Sequence, residues 1–319
     1  MIISASRRTD IPAFYSDWFI ERIKEGFVLV RNPLNIHQVS KIKLTPDVVD
    51  FIVFWTKNPK PLLGKLNELQ DYSYYFQFTL NSYDTDIEEY VPNKGKYVLP
   101  TFKKLSDMIG KEKVIWRYDP ILLNEKYNIS YHLENFEKLA KQLSDYTEKC
   151  TISFVDLYKK TEKNLKDTNI IPFDDKIIRD IARDLGDIAQ QYNIKMDTCA
   201  EKIDLSDLGI EHAHCIDPDL MERLTNGEYC LSKDKNQRKE CGCAESIDIG
   251  AYNTCKNGCK YCYANYNRQW VLNNCAQHNN SSELLCDKLN DILDKISERK
   301  MRSVKKAKIY EQNQLKLNI

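Results

Sequence analysis

The sequence predicts an α/β fold: a parallel (β/α) barrel or partial barrel with a C-terminal cysteine-rich cluster region. Three observations predict it. Short apolar runs alternate with amphipathic stretches over the first two thirds of the chain. Most of those runs end in polar or charged residues. Ten of the eleven cysteines lie in the second half, seven of them between 204 and 269.

Residues 2–6, 27–31, 51–56, 74–80, 114–118, 151–156, 194–198 and 246–250 are the candidate strands. Between most of them apolar residues recur at the helical period. The stretch 15–24 carries Trp18, Phe19 and Ile23 on one face, and 132–143 carries Leu133, Phe136, Leu139, Ala140 and Leu143. The stretch 176–192 carries Ile177, Ile178, Ile181, Ala182, Leu185 and Ile188. Residues 281–301 read as a further amphipathic helix with Leu284, Leu285, Leu289, Ile292 and Leu293. Repeated strand–helix alternation implies a mainly parallel sheet with right-handed crossovers. Eight candidate strands suggest a closed or partly closed barrel, which needs about 250 residues. The expected division is a barrel core over 1–203, a cluster region completing the barrel over 204–269, and a C-terminal helix and basic tail over 270–319.

Lys plus Arg equals Asp plus Glu at 47 each, so no global charge grips nucleic acid or an anionic membrane. Nucleic acid is therefore a disfavoured partner, although 19 Tyr and 4 Trp could stack bases and residues 300–308 could form a local basic grip. The first apolar run is too short for a secretory signal, and no stretch approaches about 18 uninterrupted apolar residues. A cytoplasmic protein without a membrane partner is expected. In that compartment clustered cysteines read as metal ligands or catalytic groups rather than disulfides.

The C-terminal ends of parallel strands are where ligands bind in such folds. Asp10, Lys57, Arg117, Asp119, Tyr158 and Glu201 lie at or just past those ends. All but Tyr158 are the candidate substrate-facing groups; the alternative is turn chemistry, since Asn, Asp and Pro end strands anyway.

Cys255, Cys259 and Cys262 form a Cys-x3-Cys-x2-Cys triplet. Three thiolates in one loop can grip three irons of a [4Fe–4S] cluster and leave the fourth without a protein ligand. Gly258 lets the loop turn back on itself. Tyr261 and Tyr263 could shield the cluster or lie beside a bound adenine; ordinary packing is the alternative. A zinc site using the Cys259–Cys262 pair remains the rival for the motif. Cys199, Cys215, Cys241 and Cys243 could hold a second Fe–S cluster or zinc, with His212 or His214 substituting, or could be buried free thiols. Cys150, Cys230, Cys275 and Cys286 read as structural, the last two without partners.

The triplet resembles the signature of the radical S-adenosylmethionine (SAM) superfamily. That resemblance implies an open iron that binds the amino and carboxylate groups of SAM, and electron transfer that yields a 5′-deoxyadenosyl radical. It also implies a cellular electron donor of the flavodoxin or ferredoxin type and a substrate that the sequence leaves unknown. Over roughly 1–267 the chain resembles an uncharacterised bacterial family, domain of unknown function 1848. The matching stretches are Ser6-Arg7-Arg8-Thr9-Asp10-Ile11-Pro12, Phe54-Trp55-Thr56-Lys57-Asn58-Pro59, Trp116-Arg117-Tyr118-Asp119-Pro120, Cys215-Ile216-Asp217, Gln237-Arg238 with Cys241-Gly242-Cys243, and Asp248-Ile249-Gly250-Ala251-Tyr252 leading into the triplet.

In radical SAM proteins the cluster loop follows the first barrel strand; here it follows nearly all of them. The expectation is a radical-SAM-like barrel, circularly permuted, with 246–250 equivalent to the first strand and 2–6 to the second. The usual Gly-Gly-Glu segment is absent and Arg7-Arg8-Thr9-Asp10 takes its place, which makes Arg7 and Arg8 candidates for a SAM carboxylate. The rival functions are a non-catalytic or electron-transfer Fe–S protein and a nucleic-acid-processing Fe–S protein.

Overall fold

The computed structural model describes residues 1–156 and 159–306. Tyr158 and the tail beyond Lys306 lie outside them. The strands are β1 (Ile2–Ala5), β2 (Phe27–Asn32), β3 (Asn35–Lys43), β4 (Phe51–Thr56), β5 (Tyr74–Thr79), β6 (Val114–Ile121), β7 (Lys149–Phe154), β8 (Lys195–Thr198), β9 (Glu211–His212), β10 (Ile247–Asp248) and β11 (Lys295–Glu298). The α-helices are α1 (Ile11–Phe14), α2 (Ser16–Glu25), α3 (Lys60–Leu63), α4 (Leu99–Ile109), α5 (Ile129–Leu143), α6 (Lys159–Leu165), α7 (Asp175–Gln191), α8 (Pro218–Thr225) and α9 (Arg268–Cys275).

Eight strands form one all-parallel sheet in the order β10-β1-β4-β5-β6-β7-β8-β9. From β1 to β9 the order never reverses, as it would in a doubly wound sheet, and this is consistent with a partial α/β barrel. The inner strands are covered on both faces, so they read as near-continuous apolar runs. In β4, Phe51, Ile52, Val53 and Phe54 are all buried. Phe54 stacks on Phe76 of β5 at 4.7 Å, and Trp116 of β6 stacks on Phe136 of α5 at 4.8 Å. Truncating a wholly buried Trp such as Trp116 to Ala costs about 3–5 kcal/mol. The helical faces read from the sequence are the buried ones: Trp18, Phe19 and Ile23 in α2, Phe136, Ala140 and Leu143 in α5, and Ile181, Ala182 and Leu185 in α7.

β10 pairs with β1 in parallel, Ile3 opposite Ile247 and Ser4 opposite Asp248. The segment just before the cysteine loop therefore lies beside the first strand of the chain. The 204–269 region supplies both edges of the sheet, β9 and β10.

Two expectations are corrected. The run 27–31 is a strand but not part of the parallel sheet: β2 pairs antiparallel with β3, and β11 joins β3 in a separate three-stranded sheet. Only Pro33 and Leu34 separate β2 from β3. A link that short can join only antiparallel strands. The helix expected over 281–301 is absent; the segment is irregular, with turns at 285–286 and 291–293, and leads into β11. Leu284, Leu285 and Cys286 are all buried in succession, which one face of a helix cannot achieve. Arg31 of β2 binds Asp287 and Asp294 and pins the segment in place. The basic stretch is not free up to Lys306 either: Cys230 N–H donates to Val304 O (2.7 Å), and Lys306 pairs with Glu228 at 3.0 Å. Among the described residues no helix is long and apolar enough to cross a membrane.

Candidate metal centre

Because the large sheet is all parallel, residues 6–10, 57, 199–201 and 249–267 leave its strands at one rim, beside 117–119 within β6. Asp248 fastens the seam. Its carboxylate accepts from Ser4 Oγ (2.7 Å), Ser6 Oγ (2.6 Å), Arg7 N–H (2.8 Å) and Gly250 N–H (3.0 Å). The loop then closes on itself through Asn253 N–H to Ala264 O (3.0 Å) and Asn265 Nδ2 to Cys255 O (2.8 Å). It is clamped from outside by residues 87–90, with Tyr90 N–H donating to Asn257 O and Lys260 N–H to Ile87 O, both at 3.0 Å. Gly258 has φ +66, and a Cβ there would lie 2.5 Å from the Tyr90 ring. The turn therefore needs glycine twice over, for its backbone conformation and for space.

Cys255, Cys259 and Cys262 are partly accessible and lie near enough to interact electrostatically. Burial pushes all three thiols up, Cys259 to about 12. Lys57 opposes that rise at Cys259 and Cys262. Among the described residues, no three or more His, Cys, Asp or Glu side chains converge as they stand on a single ion position.

Beneath the loop, Lys57 Nζ binds Glu88 Oε1 (2.7 Å) and Lys94 Nζ binds Oε2 (2.6 Å), while Asn81 and the Tyr261 hydroxyl also donate to Glu88. Burial opposes ionisation of Glu88, but the two lysines outweigh it and hold the carboxyl at about 2. Asp10 caps α1 through Ala13 N–H (3.0 Å) and accepts from Lys57 N–H (2.8 Å) and Asn257 Nδ2 (3.1 Å). It positions the cysteine loop against the β4 exit. Tyr263 is half exposed, and its hydroxyl donates to Arg7 O (2.9 Å).

A second group gathers nearby. Arg117 forks onto Asp119 and donates from Nη1 to Gln77 Oε1 (3.1 Å) and Cys215 Sγ (3.0 Å). Cys199 Sγ lies 3.4 Å from Cys215 Sγ, and Cys241 and Cys243 are buried in the same cluster as Cys215. Donation from Cys199 and Cys243 pulls Cys215 below the usual thiol range, aided by Arg117 and Arg7. The Arg7 guanidinium lies 5.0 Å over the Trp55 ring, with its charge beside Cys243 and Cys215. Arg7 Nη2 is buried without a hydrogen-bond partner. Arg8 instead lies over Tyr252 at 5.1 Å and 3.9 Å from Asp248. Ser153 Oγ donates to Asp119 (2.5 Å). Glu201 accepts from Phe154 N–H (2.9 Å), and burial raises it to about 7.

The rim thus brings the sequence-selected residues together in two groups. Cys255, Cys259, Cys262, Asp10, Lys57 and Tyr261 form one. Cys199, Cys215, Cys241, Cys243, Arg7, Arg117, Asp119 and Glu201 form the other. His212 is exposed on β9, while the His214 ring packs against Gly242. Cys275 does have partners: the Tyr15 hydroxyl contacts its Sγ at 3.2 Å, and the thiol donates to Thr254 O at 3.4 Å. Glu88, Asn81, Asn257 and Asp248 were missed. Asp248 and Asn257 lie in or beside the cysteine motif, which is a usable signal; Glu88 has none.

The family model for a domain of unknown function, DUF1848, matches residues 2–264. The chain belongs to this family. The match runs from β1 past Cys262 and takes in both groups at the rim. No curated protein and no solved structure matches the chain.

Proposed function

We propose that the chain is an iron–sulfur protein in which Cys255, Cys259 and Cys262 hold a [4Fe–4S] cluster at the barrel rim, serving radical SAM chemistry on a substrate still to be found. The observation that carries this reading is the Cys-x3-Cys-x2-Cys loop itself, folded back at Gly258 with its three thiols near enough to interact electrostatically. The donor set fits. Three sulfurs and no fourth cysteine in the loop leave one metal corner open. Asn257 Oδ1 and Asn265 Oδ1, both inside the loop, are buried without partners, as polar atoms around a bound group would be. When bound, such a cluster supplies the electron that cleaves SAM.

The chain's own residues take the remaining roles. Lys57, held by Glu88, keeps a positive charge beside Cys259 and Cys262 and favours their thiolates. Asp10 and residues 87–90 fix the loop, and Tyr261 shields its inner side. Tyr263, half exposed, is the candidate to lie along an adenine. Arg7 and Arg8, both beside Asp248 at the loop seam, are the candidates for a carboxylate. Glu201, near 7, can hold or release a proton at the rim. The β10–β1 pairing supports a circularly permuted radical-SAM-like barrel, with β10 as its first strand.

The test is anaerobic reconstitution with iron and sulfide, then reduction in the presence of SAM. Wild-type protein should give a brown chromophore and 5′-deoxyadenosine, and Cys259→Ala should give neither. A chromophore without SAM cleavage would instead support an electron-transfer protein.

A further inference from the structure

We propose that Cys199, Cys215, Cys241 and Cys243 form a second metal centre, closed by four thiolates, that takes a thiophilic cation independently of the 255–262 loop. The four cysteines come from three separate places in the chain, yet Cys215, Cys241 and Cys243 share one buried cluster with Cys199 packed against it, and Cys199 Sγ lies 3.4 Å from Cys215 Sγ. Zinc–sulfur bonds of about 2.3 Å place tetrahedral sulfurs roughly 3.8 Å apart. The 3.4 Å separation of Cys199 and Cys215 is of that order. The cluster is not yet a closed tetrahedron; closing it asks for side-chain rotation and loss of the thiol protons, which metal binding brings about.

The surroundings are built for negative sulfur. Arg117, itself buried, donates to Cys215 Sγ at 3.0 Å. Arg7 lies alongside Cys243 and Cys215 and has one buried nitrogen without a partner. A divalent cation with four thiolates carries two negative charges, which the Arg117 and Arg7 guanidiniums offset. The backbones are pinned beforehand. Cys199 N–H donates to Ile152 O (2.8 Å), and Cys215 O accepts from Tyr75 Oη (2.7 Å) and Gln77 Nε2 (3.0 Å). Cys243 O accepts from Asp234 N–H (2.9 Å). Gly242 lets the two cysteines beside it approach, since a Cβ there would lie 2.2 Å from the His214 ring.

The experiment measures zinc and iron per chain in anaerobically purified full-length protein, for wild type, Cys215→Ser/Cys243→Ser and Cys259→Ala. The double variant should lose at least one metal atom per chain, and Cys259→Ala should keep it. Should the double variant not fold, wild type is alkylated before and after a chelator, and Cys199, Cys215, Cys241 and Cys243 should become labelled together only afterwards. Unchanged metal in a folded double variant, labelling indifferent to the chelator, or a Cys199–Cys215 disulfide in the purified protein would overturn the proposal. Cys259→Ala reports on the other loop, so failure there registers separately.

Discussion

Replacing Glu88 by Gln tests the scaffold under the cysteine loop. Glu88 is 1% exposed and receives Lys57 at 2.7 Å and Lys94 at 2.6 Å. These cations draw its carboxyl from 4.5 to about 2 against the cost of burial. At 1.36 kcal/mol per unit, that differential is worth about 3 kcal/mol, within reach of the 3–5 kcal/mol typical for breaking a buried ion pair. Because the folded value lies below the unfolded one, this stability is full above pH 4.5 and is lost as pH falls towards 2. At pH 7, Glu88→Gln should therefore lower stability by about 3 kcal/mol, seen as an earlier first transition in urea. The gap from wild type should narrow below pH 4.5. Adding Lys57→Met should cost less than the two single losses summed, since it removes the cation left unpaired. A loss below about 1 kcal/mol, or simple additivity, would refute the claim that the pair is coupled.

Three further outcomes are expected. Gly258→Ala strains a left-handed turn and drives a Cβ against Tyr90, so it should weaken the loop by about 1–3 kcal/mol and lower iron retention after reconstitution, measured as iron per chain. Buried His132, its Nε2 2.8 Å from Leu122 O, is pushed down to about 4 by burial. Stability should therefore be full above pH 6.5 and fall by about 3 kcal/mol towards pH 4, a slope that His132→Asn should flatten in urea titrations at stepped pH. Cys275, whose thiol is pulled down mainly by donation from Cys286, should be alkylated by iodoacetamide at pH 7 well before buried Cys150, as peptide mass mapping would read.

Much of the frame was legible in the chain. The run 51–56 reads as a doubly buried parallel strand because its apolar residues face packed neighbours on both sides. The faces of α2, α5 and α7 follow from a period that any solvent would impose. Other features depended on distant partners. Whether 27–31 joined the main sheet was set by the short link to β3, not by its own composition. The 281–301 stretch has helical spacing, but Arg31, some 256 residues away from Asp287, pins it in a non-helical path.

The same division holds at the rim. The sequence alone determined the cysteine triplet and its turn, because neighbouring residues in a loop cannot avoid one another and Gly258 supplies the conformation. Only the tertiary structure decided that Cys199 and Cys215 touch in a cluster shared with Cys243, that the Arg7 charge lies beside Cys215 and Cys243, and that Glu88 lies under Lys57. Those residues come from separate strand exits, and which exits are neighbours is fixed by the order of strands in the sheet, a property of the packed core as a whole.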